Sequence, residues 1–213
     1  KIMDEILSDY KTSPACARDS KVLSLFSQCI ITFKDHLSVE VPRIMEALFE
    51  STLELITSDE VNHPEHRVRF FKFIQCANEH CFVGLFSIPT PVQKMVIDSI
   101  VWAVKHTDRN ISEMGLEILQ ELLTNIAKYA GNGNGNNSSN SQNSAGYQFA
   151  QDFYKTFLMS LIADVLGVMT DRLHKSGFKL QATILMSLFR IVQDNQVSVP
   201  IFDTIQHPQF SDN

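Results

Sequence analysis

The sequence lacks paired cysteine spacing, a basic patch, a long uninterrupted apolar run and sustained two-residue alternation, and each absence excludes a class of protein. Its four cysteines, Cys16, Cys29, Cys76 and Cys81, show no paired short spacing and no signal peptide precedes them. That argues against a secreted disulfide framework and against a zinc ribbon, so the four read as reduced, mostly buried thiols. With a net charge of −6 and no basic patch, the chain lacks the phosphate-neutralising charge behind most nucleic-acid affinity. Proteins, not DNA or RNA, are the expected partners. The most apolar stretch, Phe157 to Met169, is interrupted by Ser160 and Asp164 and is too short for ~30 Å of hydrocarbon, so no transmembrane segment is expected. No initiator methionine or helix cap precedes Lys1-Ile2-Met3, which reads as mid-helix, and the chain is expected to be an excerpt of a longer protein.

What is present is helical periodicity in succession, 44% hydrophobic and 20% charged residues being ordinary for a folded protein. The pattern predicts a first fragment to about Tyr10, a break at Ser13-Pro14, and a helix from about Asp19 to Phe33. After a connector at Leu37 to Val41 the punctuation becomes regular. One helix enters at Val41-Pro42 and ends near Ser58, and its partner enters at His63-Pro64 and reaches towards Phe86. Ile88-Pro89-Thr90-Pro91 starts a helix to about His106, followed by one from about Asn110 to Ala130. A third pair spans about Gln148 to Asp171 and Ser176 to Asp194, and Ser198-Val199-Pro200 begins a fourth.

Pair starts at Val41 and Thr90 lie 49 residues apart, and from Thr90 to Gln148 is 58, or about 44 without the insert at residues 131–144. Both spacings approach the ~40–47 residues of a HEAT or armadillo unit. The predicted fold is therefore all-α, a superhelix of antiparallel helix pairs, with residues 1–213 forming a single solenoid segment. A non-repetitive helical bundle is the alternative. The insert contains only glycine, asparagine, serine and glutamine and buries too little apolar area to offset its ordering entropy, so a disordered loop is expected there.

The apolar faces are broad, as stacking requires. After Pro91, Val92, Met95, Val96, Ser99, Ile100 and Ala103 form one stripe that Ile97, Val101 and Val104 widen, and Trp102 is expected to be largely buried among them. The second helix of each pair keeps one narrow polar face: Glu65, Arg69, Lys72 and Glu79; then Glu113, Glu117, Glu121, Thr124 and Lys128; then Ser176, Lys179, Thr183, Ser187, Arg190 and Asp194. With ordinary solenoid curvature these faces line the concave wall. Lys72, Glu113, Glu117, Lys179 and Arg190 are the candidate partner-facing residues, a merely solvated face being the alternative.

No catalytic, cofactor or metal site is expected. Gly131, Gly133 and Gly135 follow no strand and precede no Gly-Lys-Ser/Thr. Cys76, His80 and Cys81 share one helical region, but tetrahedral zinc needs four ligands and no second pair is near, while a regular helix offers no oxyanion donors to a Cys–His nucleophile. Asp108 and Asn110 sit where they cap the following helix, and Arg109 reads as structural.

Four stretches carry a resemblance: His63-Pro-Glu-His-Arg67 through Phe70-Phe71; Ala77-Asn-Glu-His-Cys81-Phe82; Asp98-Ser-Ile-Val-Trp102-Ala-Val-Lys-His-Thr-Asp-Arg109-Asn110; and Gly115-Leu-Glu-Ile-Leu119. In this order they resemble the family of the major nuclear exportin, the karyopherin-β receptor for leucine-rich export signals, from about Tyr10 to about Val197. The asparagine-rich insert departs from the family pattern. The resemblance implies HEAT repeats from the C-terminal half of a receptor that shuttles through the nuclear pore. It implies as partners GTP-bound Ran, export cargo and phenylalanine-glycine nucleoporins. The family's export-signal groove, with its reactive cysteine, falls outside the matched part, so none of the four cysteines is equated with it. Two other readings are a structural HEAT scaffold without Ran dependence and a helical enzyme; no convergent acid, base and nucleophile support the latter.

Overall fold

The computed structural model describes residues 2–58, 62–131 and 145–193. Its helices are α1 (Ile2–Thr12), α2 (Lys21–Phe33), α3 (Val41–Ser58), α4 (Pro64–His80), α5 (Phe82–Leu85), α6 (Thr90–Val104), α7 (Arg109–Gly131), α8 (Ala145–Thr170) and α9 (Phe178–Gln193). Short 3₁₀ turns fill residues 15–17, 34–37 and 172–177, and no strand occurs among the described residues. Prolines stand at the starts of α4 and α6, where their fixed φ suits the first turn and their missing N–H is not needed. Asp108 starts α7 by accepting from the Asn110 amide at 2.8 Å, as a capping carboxylate does.

The helices pack as a two-layer solenoid. Within pairs, α3 lies on α4, α6 on α7 and α8 on α9. Between pairs, α2, α4, α7 and α9 form one continuous layer, while α1 packs on α3 and α6 on α8 in the other. The broad apolar faces follow from this arrangement, since α7 buries Ile111, Leu116, Ile118, Leu119, Leu122, Leu123 and Ile126 against neighbours on both sides. α6 and α7 approach so closely that a Cβ on Gly115 would lie 2.6 Å from the Val104 nitrogen, so only glycine fits there.

Buried polar groups tie the pairs together. The Ser112 hydroxyl donates to the Val104 carbonyl at 2.8 Å, so its oxygen accepts from Nδ1 of His174 at 3.1 Å. Gln181 Nε2 in turn donates to the His174 carbonyl at 3.0 Å. This chain joins the end of α6, the start of α7, the turn before α9 and α9 itself. Asn125 on α7 donates to the Asn78 carbonyl on α4 at 2.9 Å.

Several expectations are corrected. The helix entered at His63-Pro64 does not reach Phe86: it ends at His80, because Cys81 adopts φ −139° and ψ 40° and α5 follows as a separate turn. Its thiol donates to the Lys34 carbonyl at 3.0 Å, a tertiary contact that overrides local helix propensity. α8 begins at Ala145, ahead of Gln148. Trp102 is only half-buried: it packs on the core from the side, stacked on Phe71 at 6.0 Å and edge-on to His106 at 4.8 Å. Only Cys76 and Cys81 are buried; Cys29 is half-buried and Cys16 exposed. α8 is long and apolar enough by length and composition to cross a membrane, with mean hydropathy 1.3. It packs on α6, α7 and α9 with Phe153, Leu158, Leu161, Val165 and Val168 buried, which accounts for that hydropathy. The insert beyond Gly131, Asp194 and the proposed fourth pair at Ser198-Val199-Pro200 lie outside the described residues.

Candidate functional site

Because α7 packs on α4 at one flank and α9 at the other, the polar faces of the three helices adjoin on the outside of one layer. On α7 the face is polar because α4, α6, α8 and α9 cover the rest of the helix. Lys72 is exposed midway along α4, its Nζ donating to Gln75 Oε1 at 3.0 Å. Glu117 on α7 and Lys179 at the start of α9 are exposed.

Glu113 is half-exposed one turn before Glu117, paired with Arg109 Nε at 2.7 Å. That hydrogen bond is the main reason its carboxyl is held below the usual carboxylate range; partial burial opposes it and the Ser176 hydroxyl adds to it. Arg109 thus pairs with Glu113 across one turn of α7. Glu113 also links α7 to the turn before α9, which makes it the most constrained of the five candidates.

Arg190 stands apart from the other four. It lies at the opposite end of α9 from Lys179 and lines a cleft with Lys128, Tyr147 and Tyr154. The structure thus places Lys72, Glu113, Glu117 and Lys179 on the adjoining polar faces and gives Arg190 separate surroundings.

Sequence reasoning missed two concave features. One is that cleft. The other is a groove of about 960 Å³ between α6 and α8, on the opposite layer, lined by Pro91, Phe149, Phe153 and Phe157 with Lys94 and Lys155 at its edge. The four-residue spacing of Phe149, Phe153 and Phe157 was the available signal, since it puts three rings on one helix face. Among the described residues no group of three or more His, Cys, Asp or Glu is placed to hold a metal ion. Cys76 and Cys81 are buried, and burial pushes both thiols up, which makes them poor nucleophiles.

Comparison with known proteins gives concordant matches. A family model described as the CRM1 C-terminal region matches residues 1–213. Exportin-1 of Schizosaccharomyces pombe is 40% identical over 212 residues, covering 100% of this chain and 18% of that protein. Exportin-1 of Dictyostelium discoideum is 40% identical over 205 residues, covering 96% of this chain and 18% of that protein. The protein EXPORTIN 1B of Arabidopsis thaliana is 37% identical over 214 residues, covering 100% of this chain and 18% of that protein. The chain thus spans 18% of the length of these curated relatives.

Proposed function

The chain belongs to the CRM1 C-terminal family, and on that premise we propose that it is a segment of a nuclear export receptor that carries leucine-rich-signal cargo out of the nucleus with GTP-bound Ran. The observation that carries this reading is the match along the whole chain, shared with relatives named exportin from a yeast, an amoeba and a plant. The all-helical solenoid supports it, because stacked pairs present long surfaces suited to enclosing another protein. Residues 1–213 act as one solenoid segment of a longer receptor, with the insert at 131–144 as a loop between repeats.

In this proposal the adjoining polar faces of α4, α7 and α9 form part of the concave wall, and Lys72, Glu113, Glu117, Lys179 and Arg190 help hold Ran. The phenylalanine-lined groove between α6 and α8 offers an apolar slot of the kind phenylalanine-glycine nucleoporins would occupy. The receptor shuttles between nucleus and cytoplasm through the pore and works by binding, without catalysis or cofactor.

The experiment is a pull-down of the full-length protein with Ran locked in its GTP or GDP state, with and without a leucine-rich export-signal peptide. Cooperative capture of Ran-GTP and peptide is expected. Capture indifferent to nucleotide and peptide would instead indicate a Ran-independent scaffold.

A further inference from the structure

The end of α7, the start of α8 and the end of α9 converge on a cleft of about 630 Å³, within the size range of ligand sites. Its walls are apolar where Leu123, Ala150 and Ile191 face it. Among the described residues its charge is one-sided: Lys128 and Arg190 line it and no Asp or Glu does, in a chain whose net charge is −6. Lys128 and Arg190 occupy the last turns of α7 and α9, where the helix dipole favours cations. Lys128 is weakly engaged, 3.4 Å from Asn125 Oδ1 and 3.7 Å from Glu121. Arg190 makes no ion pair among the described residues.

A second observation points into the same space. Tyr154 is 6% exposed and lines the cleft, and its hydroxyl has no hydrogen-bond partner among the described residues. The hydroxyl is not among the sealed polar atoms, so it is open to the cleft and can donate to a ligand there. Apolar walls, an accessible phenol donor and two cations define the complementary ligand: an apolar side chain flanked by a carboxylate.

We infer that this cleft is a docking site for a partner-protein segment in which an acidic residue stands beside an aromatic or aliphatic one. The apolar side chain enters between Leu123, Ala150 and Ile191, and the carboxylate meets Arg190 and Lys128. This assignment does not involve the groove between α6 and α8; it shares Arg190 with the faces proposed above to hold Ran, and because the titration below uses neither Ran nor cargo, its failure is distinguishable from failure of the transport reading.

The test titrates the ¹⁵N-labelled 213-residue chain with the blocked peptide Ser-Asp-Phe-Asp-Ser and its twin Ser-Asn-Phe-Asn-Ser, followed by amide shifts. Shifts grouped at Ala127, Ala150, Tyr154 and Ile191 are expected, with the asparagine twin about tenfold weaker, the usual worth of a charge-assisted hydrogen bond. Arg190→Glu is expected to weaken the acidic peptide about tenfold or more and Arg190→Lys less, with affinity falling as salt rises. Ala127→Trp, at an exposed lining position, should block the cleft without changing the melt. Absence of shifts at about millimolar peptide, shifts centred elsewhere, or equal binding of the two peptides would overturn the assignment. So would a chain lacking residues 132–144 that binds the peptide when the intact chain does not, because the chain's own residues would then be the occupant.

Discussion

A Cβ on Gly146 would lie 2.3 Å from the carbonyl oxygen of Tyr129, so the first turn of α8 rests directly on the last turn of α7. Both atoms are backbone or fixed to it, and neither helix can shift alone without disturbing α9. Gly146→Ala is therefore expected to destabilise the chain by about 1–3 kcal/mol, the range for overpacking. Chemical denaturation measures it, and a change within about 0.5 kcal/mol would mean that this junction yields more easily than its geometry indicates.

The same closeness bears on the insert. The two ends that residues 131–144 join are already adjacent, so removing the insert requires no long reach by the shortened chain. Loop length enters stability only logarithmically. Deletion of residues 131–144 is expected to retain helical circular dichroism and cooperative melting, with at most a small gain. Loss of either would show that the insert packs on the fold.

Trp102 is half-buried and stacked on Phe71, so part of its indole area stays in water in the folded state. Trp102→Ala is expected to cost about 2–3 kcal/mol, below the 3–5 kcal/mol typical of a fully buried aromatic. A cost under about 1 kcal/mol in a denaturation series would remove the stacking from the core account.

Burial is the main cause lowering the His66 pKa below its usual 6.5; hydrogen bonding of Nε2 to the Arg18 carbonyl at 2.9 Å opposes it. Folding therefore favours the neutral ring. The associated stability is fully present above pH 6.5, the unfolded value, and is lost as pH falls through the lower folded value. Melting temperatures of wild type and His66→Gln, compared at neutral and mildly acidic pH, are expected to show the smaller acid-induced drop in the variant. Equal drops would exclude His66 as a source of pH dependence.

The polar faces predict a distributed interface. Single charge reversals at Lys72, Glu113, Glu117, Lys179 or Arg190 are expected to have little effect on Ran-dependent cargo loading by the full-length protein, because rim charges act mostly on association rate and salt dependence. Reversing all five should weaken loading, more at low salt, with the fold retained. Normal loading by that variant at low and moderate salt would reduce these faces to solvated surface.

The sequence by itself determined the helices, their pairing and the class of surface each presents. A helix start needs only a local device, such as Pro64, Pro91 or the Asp108 carboxylate, and a broad apolar face needs only spacing, as in Ile111, Leu119 and Ile126. The exposure of Lys72, Glu117 and Lys179 follows from the same periodicity, since a residue opposite a covered stripe has nowhere to go but outwards. Tertiary structure alone decided where independent segments meet. The break at Cys81 depends on Lys34, the depth of Trp102 on Phe71, and the surroundings of Arg190 on the ends of α7 and α8. Such partners are dozens of residues away, and local periodicity carries no information about them. The Ser112–His174–Gln181 chain was hidden for the same reason: each residue is an unremarked polar position in its own segment, and only stacking of one pair on the next makes it a buried link.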